Sequence, residues 1–355
     1  QFVLLCRELK LFSDAMVAID GSKFKAVNNR DRNYTSNKIV RRREQIETSI
    51  NRYLVAMESA DRLEPDIAEA KTSRLKDKIE MLKAQMAQLD EIEERLQATP
   101  GKQISLTDPD ARSMATSGRG SGMVGYNVQT AVDTRHHLII AHEVTNQGHD
   151  RFQLANMAKQ AKVALGCSEL SVVADRGYFS GDEILACDEA GIAAFVPKTQ
   201  TSNAKADGRF DKQDFIYDPV ADEYQCPAGK RLIWRFSRVE ARHNISRYWS
   251  SDCPRCAIKE KCTPGDYRRV SRWEHEAVME AMQKRLDLKP DAMRIRRQTV
   301  EHPFGTLKAW MGSTHFLTKT IGRVSTEMSL HVLAYNLKRV MKIMGVGALM
   351  EAIQA

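Results

Sequence analysis

The sequence predicts a mixed α/β sheet packed with helices and interrupted by two insertions, one a helical hairpin and the other a cysteine-bearing segment. Three observations carry that expectation. Two short apolar runs, Met16-Val17-Ala18-Ile19 and Leu170-Ser171-Val172-Val173-Ala174, each end on an aspartate, as buried strands that deliver a carboxylate to a sheet edge do. Residues 126–132 alternate at period two, and a second apolar run, Leu138 to Val144, follows a turn at Asp133–His137. Residues 38–98 switch to a seven-residue apolar repeat flanked by charge.

A chain of 355 residues accommodates one large core or two domains, and 42% hydrophobic with 28% charged residues describes an ordinary globular protein. No apolar run approaches the ~20 residues that span a bilayer, so no membrane partner is expected. No charged-then-apolar leader with a cleavage site is evident either. The chain opens on Gln1-Phe2-Val3 without a methionine, and an N-terminal piece is expected to be missing. The net charge of +8 is uneven: residues 226–355 hold 24 Lys and Arg against 12 Asp and Glu, a balance of +12, which leaves −4 for residues 1–225. A basic C-terminal third suits a polyphosphate partner, because each neutralised phosphate releases counterions; a solubilising surface gives the same count. Of seven cysteines, Cys6, Cys167 and Cys187 stand singly in apolar surroundings. They read as reduced core residues, which suits a cytosolic protein better than a disulfide framework.

Taken in order, the first strand ends at Asp20. Ile39, Ile46, Ile50, Tyr53 and Met57 form one heptad seam, and Leu75, Ile79, Leu82, Met86, Leu89 and Leu96 a second. Pro65 and the break at Arg62–Asp66 favour an antiparallel hairpin over a parallel coiled-coil dimer. Residues 113–125 form a Ser/Gly-rich loop. After the hairpin at 126–144, Asp150 with Gln153 fits a helix N-cap and its partner, starting a helix to about Ala164, with His149 in the entry turn. The second apolar run ends at Asp175; a helix at about 181–189 and a strand at 193–196, closed by Pro197, come next. Residues 198–267 read as irregular and polar. Helical patterns resume near Glu274 and run to Met344, with Leu330, Leu333, Leu337 and Met341 as the packing stripe of the last helix.

The expected division is therefore residues 1–37 and 101–197 as core, 38–100 as the hairpin insertion, 198–272 as a basic cysteine-rich insertion, and 273–355 as helices that complete the core. Without the insertions the order is strand, hairpin, helix, strand, helix, strand, helix. That is the order of an RNase H-like fold.

In such a sheet the strands ending at Asp20 and Asp175 lie side by side, and a third acid must come from a helix against that edge. Arg297, Glu301 and Lys308 lie four and seven positions apart, so at 3.6 residues per turn they share one face with the cations on either side of the acid. Alone, such a stripe is an ordinary solvated face with i,i+4 pairing. The contexts Ile19-Asp20-Gly21-Ser22-Lys23 and Val173-Ala174-Asp175-Arg176-Gly177-Tyr178-Phe179 give it chemical meaning. Pro303 puts Glu301 at a kink or in the first turn of a new helix. Three carboxylates supply the hard oxygen ligands that two Mg2+ ions need when they clamp the attacking and leaving oxygens of a phosphodiester.

On these motifs, with Gly125-Tyr126-Asn127-Val128-Gln129-Thr130-Ala131-Val132-Asp133 and Val300-Glu301-His302-Pro303-Phe304-Gly305-Thr306-Leu307-Lys308, the chain resembles bacterial insertion-sequence transposases of the DDE class. The group it resembles carries a Y-x2-R-x3-E-x6-K signature, and the resemblance covers nearly the whole chain. It implies Asp20, Asp175 and Glu301 as catalytic ligands of two Mg2+ or Mn2+ ions. It implies phosphate contacts from Arg297 and Lys308, with Arg294 and Lys23 as further DNA-binding candidates. The signature tyrosine falls at Arg294, which leaves that contact unassigned. The implied reaction is cleavage at the terminal inverted repeats to free a 3′-OH, then in-line attack by that hydroxyl, or by a hairpin derived from it, without a covalent enzyme intermediate. Target DNA, a homodimer in the reacting complex and a cytoplasmic, nucleoid-associated location are implied with it. Members usually start with a helical DNA-binding domain, which agrees with the opening at Gln1. A catalytically silent DNA-binding relative and a stand-alone RNase H-like nuclease are the alternatives.

Cys226, Cys253, Cys256 and Cys262 fall in a 37-residue window containing one Cys-x2-Cys pair. Structural Zn2+ and a small reduced cluster packed as a hydrophobe both satisfy that spacing. Around them Trp234, Arg235, Phe236, Arg238, Arg242, Arg247, Tyr248 and Trp249 interleave cations with aromatics. That pattern suits stacking on distorted DNA and equally a β module that buries its own aromatics.

Overall fold

Met16, Val17, Ala18 and Ile19 are all buried in the first strand, β1 (Met16–Lys25). The strand does not close at Asp20 as expected; it continues to Lys25 because Phe24, buried against Phe304 and Phe316 at ring-centroid distances of 6.3 and 5.6 Å, anchors its second half. The computed structural model describes residues 1–13, 16–28, 32–60, 65–99, 101–115, 122–199 and 204–354. The Arg62 side of the expected hairpin break and residues 116–121 of the Ser/Gly-rich loop lie outside the described residues.

Before β1 stands α1 (Phe2–Glu8), and after it β2 (Asn33–Thr35), α2 (Ser36–Ala60) and α3 (Pro65–Ala98). Then come β3 (Gln103–Ser105), β4 (Arg112–Met114), β5 (Met123–Asp133) and β6 (Ile139–Thr145). The order continues with α4 (Leu154–Leu165), β7 (Leu170–Val173), α5 (Gly181–Glu189) and β8 (Ile192–Phe195). A run of strands follows: β9 (Ile216–Asp218), β10 (Glu223–Gln225), β11 (Arg231–Glu240), β12 (His243–Trp249) and β13 (Val270–Trp273). The chain ends in α6 (Glu276–Leu288), α7 (Ala292–Gly305), α8 (Ile321–Met344) and α9 (Val346–Gln354).

The main sheet has the order β4-β5-β1-β7-β8, with β6 paired to β5. β1 with β7 and β7 with β8 run parallel, whereas β4 and β5 run antiparallel. This is the mixed α/β sheet of an RNase H-like fold. The chain divides into two compact units, one of residues 1–20, 131–141 and 150–301, the other of residues 21–130, 142–149 and 302–355.

In the first unit Met16, Ala18, Val173, Phe195, Ala292 and Val300 form a buried cluster. α4 buries Leu154, Ala155, Met157, Ala158 and Ala161 and ends at Gly166, whose φ of 67° is the left-handed C-cap position where glycine is favoured. Its N-cap is Gln153, not Asp150, and no side chain closes that cap. Asp150 accepts Gln153 N–H through its carbonyl and is not the N-cap, so the expected capping role is corrected. Glu183 of α5 takes over part of the task, accepting Ala155 N–H at 2.8 Å.

The segment read as irregular is also corrected: it forms an antiparallel sheet, β13-β12-β11-β10-β9, over a core of Phe215, Tyr224, Leu232, Tyr248 and Val270. β9 and β10 are three residues each, and only Leu232 of β11 is buried, so no apolar alternation marks these strands in the sequence.

In the second unit α2 and α3 form a helical pair. Ile39 and Ile46 on one helix, and Leu75, Ile79, Leu89, Ile92 and Leu96 on the other, are buried. Arg43 bonds Asp90 at 2.5 Å and Glu93 at 2.8 Å across the pair. In α8 the buried residues are Val324, Met328, Val332, Tyr335, Asn336 and Val340, whereas Leu330 and Leu333 are exposed. The packing stripe expected there is therefore rotated, because Tyr335 and Asn336 face inward and the leucines outward. Among the described residues no helix is long and apolar enough to cross a membrane.

Phe24→Ala is expected to lower the unfolding free energy by about 3–5 kcal/mol, as loss of a fully buried phenyl ring does, when measured by denaturant titration. A loss under ~1 kcal/mol would mean that Phe24 does not anchor the second half of β1.

Candidate active site

Asp20 and Asp175 meet because of strand register. β1 and β7 pair in parallel with Met16 opposite Ser171, Val17 opposite Val172 and Ala18 opposite Val173. Two residues further on, the same phase brings Asp20 level with Asp175. β7 ends at Val173, and the Asp175 carboxylate accepts Gly177 N–H at 2.8 Å, capping a short 3-10 turn over Arg176–Tyr178.

One cation ties the two acids together, and no sequence motif singles it out. Nη2 of Arg296 donates to Asp20 Oδ1 at 2.5 Å and to Asp175 Oδ2 at 3.4 Å. Arg296 stands four residues from Ala292 and four from Val300, both buried in the cluster with Met16, Ala18 and Val173, so it lies on the core-facing stripe of α7. Its Nε is buried without an acceptor.

Tyr178 is wholly buried beside them. Burial pushes its hydroxyl well above the ordinary tyrosine value, and the carboxylates of Asp150, Asp20 and Asp175 push it further, with Arg296 opposing. The phenol therefore keeps its proton. A side-chain carbon at Gly177 would lie 2.9 Å from Asp175 Oδ1 and 4.0 Å from Asp150 Oδ2, which places Asp150 as a further acid at this edge.

Comparison with family models matches residues 98–337 to the transposase DDE domain. The chain belongs to that family. No curated protein and no solved structure matches it. The matched stretch contains Asp175, Arg296, Glu301 and Lys308 but begins beyond Asp20.

Of the residues expected to hold ions in this transposase, the structure joins Asp20 and Asp175 but not Glu301. Glu301 is exposed on α7, five residues after Arg296 and so roughly 140° around the helix from it. Among the described residues no three or more His, Cys, Asp or Glu are gathered closely enough to hold an ion. The pair itself suits a hard divalent cation: it offers carboxylate oxygens, both within reach of one nitrogen, and it already draws a positive group.

Pro303 lies inside α7, which runs on to Gly305 and then widens into a π-helical turn over Thr306–Trp310. Glu301 is thus mid-helix, neither at a break nor in a first turn. The π turn carries Lys308 off the stripe shared by Arg297 and Glu301, and the expectation of a single face is corrected for it. In the second unit Lys308 Nζ donates to Ser22 Oγ at 2.7 Å and Lys23 O at 2.8 Å, and lies 4.5 Å from the Phe24 ring centroid. Lys23 Nζ donates to Ala115 O at 2.5 Å. Arg297 is exposed, and Arg294, also exposed, pairs with Asp291 at 3.0 Å.

Cys226, Cys253, Cys256 and Cys262 are free, half-buried, and line one cavity of about 420 Å³ in the first unit. Burial raises the Cys262 thiol; Arg268 opposes this, and Cys253, Cys226 and Cys256 add to the rise. Cys6 and Cys187 are buried and pushed up to about 11 and about 12 by that burial, as inert thiols are, whereas Cys167 is only half-buried and not the core residue expected. The adjoining strands divide their aromatics between core and surface. Tyr248 is in the module's core, while Trp234 and Phe236 are exposed and the Arg235 and Arg269 guanidinium groups lie 5.4 and 5.6 Å from the Trp249 ring.

Sequence reasoning misses Arg296, Asp150 and Tyr178. Arg296 has a legible signal, an arginine between Ala292 and Val300 on an apolar stripe, where a charge needs a buried counter-charge. Gly177→Ala is expected to turn the Asp175 carboxylate from Gly177 N–H, at about 1 kcal/mol of stability in denaturant unfolding. Unchanged stability would mean that the carboxylate accommodates the methyl group without leaving its donor.

Proposed function

We propose that this transposase cuts the terminal inverted repeats of its element and joins them to target DNA at the Asp20–Asp175 edge, with Glu301 completing the acidic set. The observation that supports this most is the pair of in-register carboxylates sharing one guanidinium nitrogen. Asp20, Asp175 and Glu301 would hold two Mg2+ or Mn2+ ions, which when bound supply Lewis-acid stabilisation of charge at the phosphoryl oxygens.

The chain's own residues position and neutralise. The strand register brings Asp20 level with Asp175, and the buried, protonated Tyr178 stands beside them. Arg297 and Lys308, with Arg294 and Lys23 as further candidates, take the phosphates of the element's end as charge-assisted donors. Water opens the end phosphodiester and frees a 3′-OH. That hydroxyl, or a hairpin formed from it, then attacks a second phosphodiester in line, so each bond formed matches one broken and no enzyme ester arises. Joining two ends requires two active sites, so a homodimer belongs to the reacting complex. The proposed place of action is the bacterial cytoplasm, at the nucleoid.

The cavity lined by Cys226, Cys253, Cys256 and Cys262 has the donor set of a thiophilic ion, and we assign it structural Zn2+; because no three of these thiols are gathered closely enough to hold an ion, they would draw together on binding it.

Asp20→Asn, Asp175→Asn and Glu301→Gln should each abolish Mg2+-dependent cutting of an end-containing duplex while leaving the circular dichroism spectrum unchanged. Retained cutting in any one removes that residue from the site, and cutting that ignores the end sequence points to a plain nuclease. Lys308→Ala should weaken end binding and reduce the slope of log affinity against log salt by about one. An unaltered slope contradicts a phosphate contact. Elemental analysis should find about one zinc per chain, lost in the Cys253→Ser/Cys256→Ser variant together with thermal stability; absence of zinc from protein purified without chelator rejects that assignment.

A further inference from the structure

We propose that Arg296 is the resident counter-cation of the Asp20–Asp175 pair, holding the two carboxylates together until divalent ions displace it. The inference rests on the reading of those aspartates as metal ligands. Asp20 on β1 and Asp175 just past the end of β7 stand close enough to share one guanidinium nitrogen and repel each other, and their partial burial raises the penalty of leaving them unneutralised. Arg296 relieves it from the core-facing stripe of α7, reaching Asp20 Oδ1 at 2.5 Å and Asp175 Oδ2 at 3.4 Å through one nitrogen. It therefore occupies the oxygens an ion would take.

The contact is built for release. A guanidinium locked in place by a carboxylate engages two nitrogens in a fork. Here both bonds leave from Nη2, while Nε is buried without an acceptor. Charge more than hydrogen-bond geometry holds the side chain there, and a divalent ion brings more charge to the same oxygens. Guanidinium and ion then compete, so apparent ion affinity is set partly by Arg296. The position is distinct from Arg297, whose side chain is exposed on the neighbouring stripe.

The test titrates Mn2+ into the full chain without DNA, reading free Mn2+ by electron paramagnetic resonance and stability by thermal unfolding. Arg296→Gln and Arg296→Met are expected to bind Mn2+ roughly tenfold more tightly than the parent, the scale of removing one adjacent like charge. They should also melt lower than the parent without Mn2+ and recover with it, because the ion takes over the neutralisation. Equal or weaker Mn2+ binding in both variants overturns the proposal. So does a failure of both to fold with Mn2+ present, since the ion would then not replace the guanidinium. Asp20→Asn separates the two levels of the argument. If it binds Mn2+ like the parent, the ligand reading fails; if it loses Mn2+ while the arginine variants bind like the parent, the ligands stand and the counter-cation role falls.

Discussion

The parallel register of β1 on β7 is the constraint from which the candidate chemistry follows. Pairing Ala18 with Val173 leaves Asp20 and Asp175 level, and like charges held level need a positive partner. That need accounts for an arginine on the buried stripe of α7, where a residue such as Ala292 or Val300 would otherwise pack. Tyr178 is fully buried nearby and keeps its proton, chiefly because of that burial and further because of the carboxylates. Burial, charge and strand order act on the same few side chains.

α7 presents two different stripes. Ala292, Arg296 and Val300 face the core, while Arg297 and Glu301 are exposed. Pro303 withholds one backbone donor within the helix, and the widened turn over Thr306–Trp310 follows directly. Lys308 emerges from that turn onto β1 residues Ser22 and Lys23. A regular helix would have left it on the stripe of Glu301, so the local distortion decides which partners the lysine meets.

The two insertions are held by different means. The hairpin of α2 and α3 relies on a long apolar seam, reinforced by Arg43 with Asp90 and Glu93. The cysteine module relies on five short strands over a handful of aromatic and aliphatic side chains, with the four thiols around a cavity at its edge. Small cores of that kind gain from an added cross-link, which the proposed structural ion would supply.

Periodicity makes the regular parts legible in the residue pattern alone. The alternation of residues 126–132, the heptads of 38–98 and the apolar runs at 16–19 and 170–174 state their own element type, because one buried face per strand or helix imposes a repeat. The aspartates are legible as strand-edge acids for the same reason, and the motifs around them as those of a DDE transposase. Residues 216–273 escape, since β9 and β10 are three residues each and β9, β10 and β11 bury at most one position apiece, which leaves no repeat to display. So does the inward stripe of α8, where Tyr335 and Asn336 displace the leucines. The sequence by itself determined which acids follow the apolar runs of the two strands. Only the tertiary structure decided what meets them there, Arg296 and Asp150 in place of a gathered Glu301, because contacts between residues more than a hundred positions apart are set by packing and register, which no local pattern encodes.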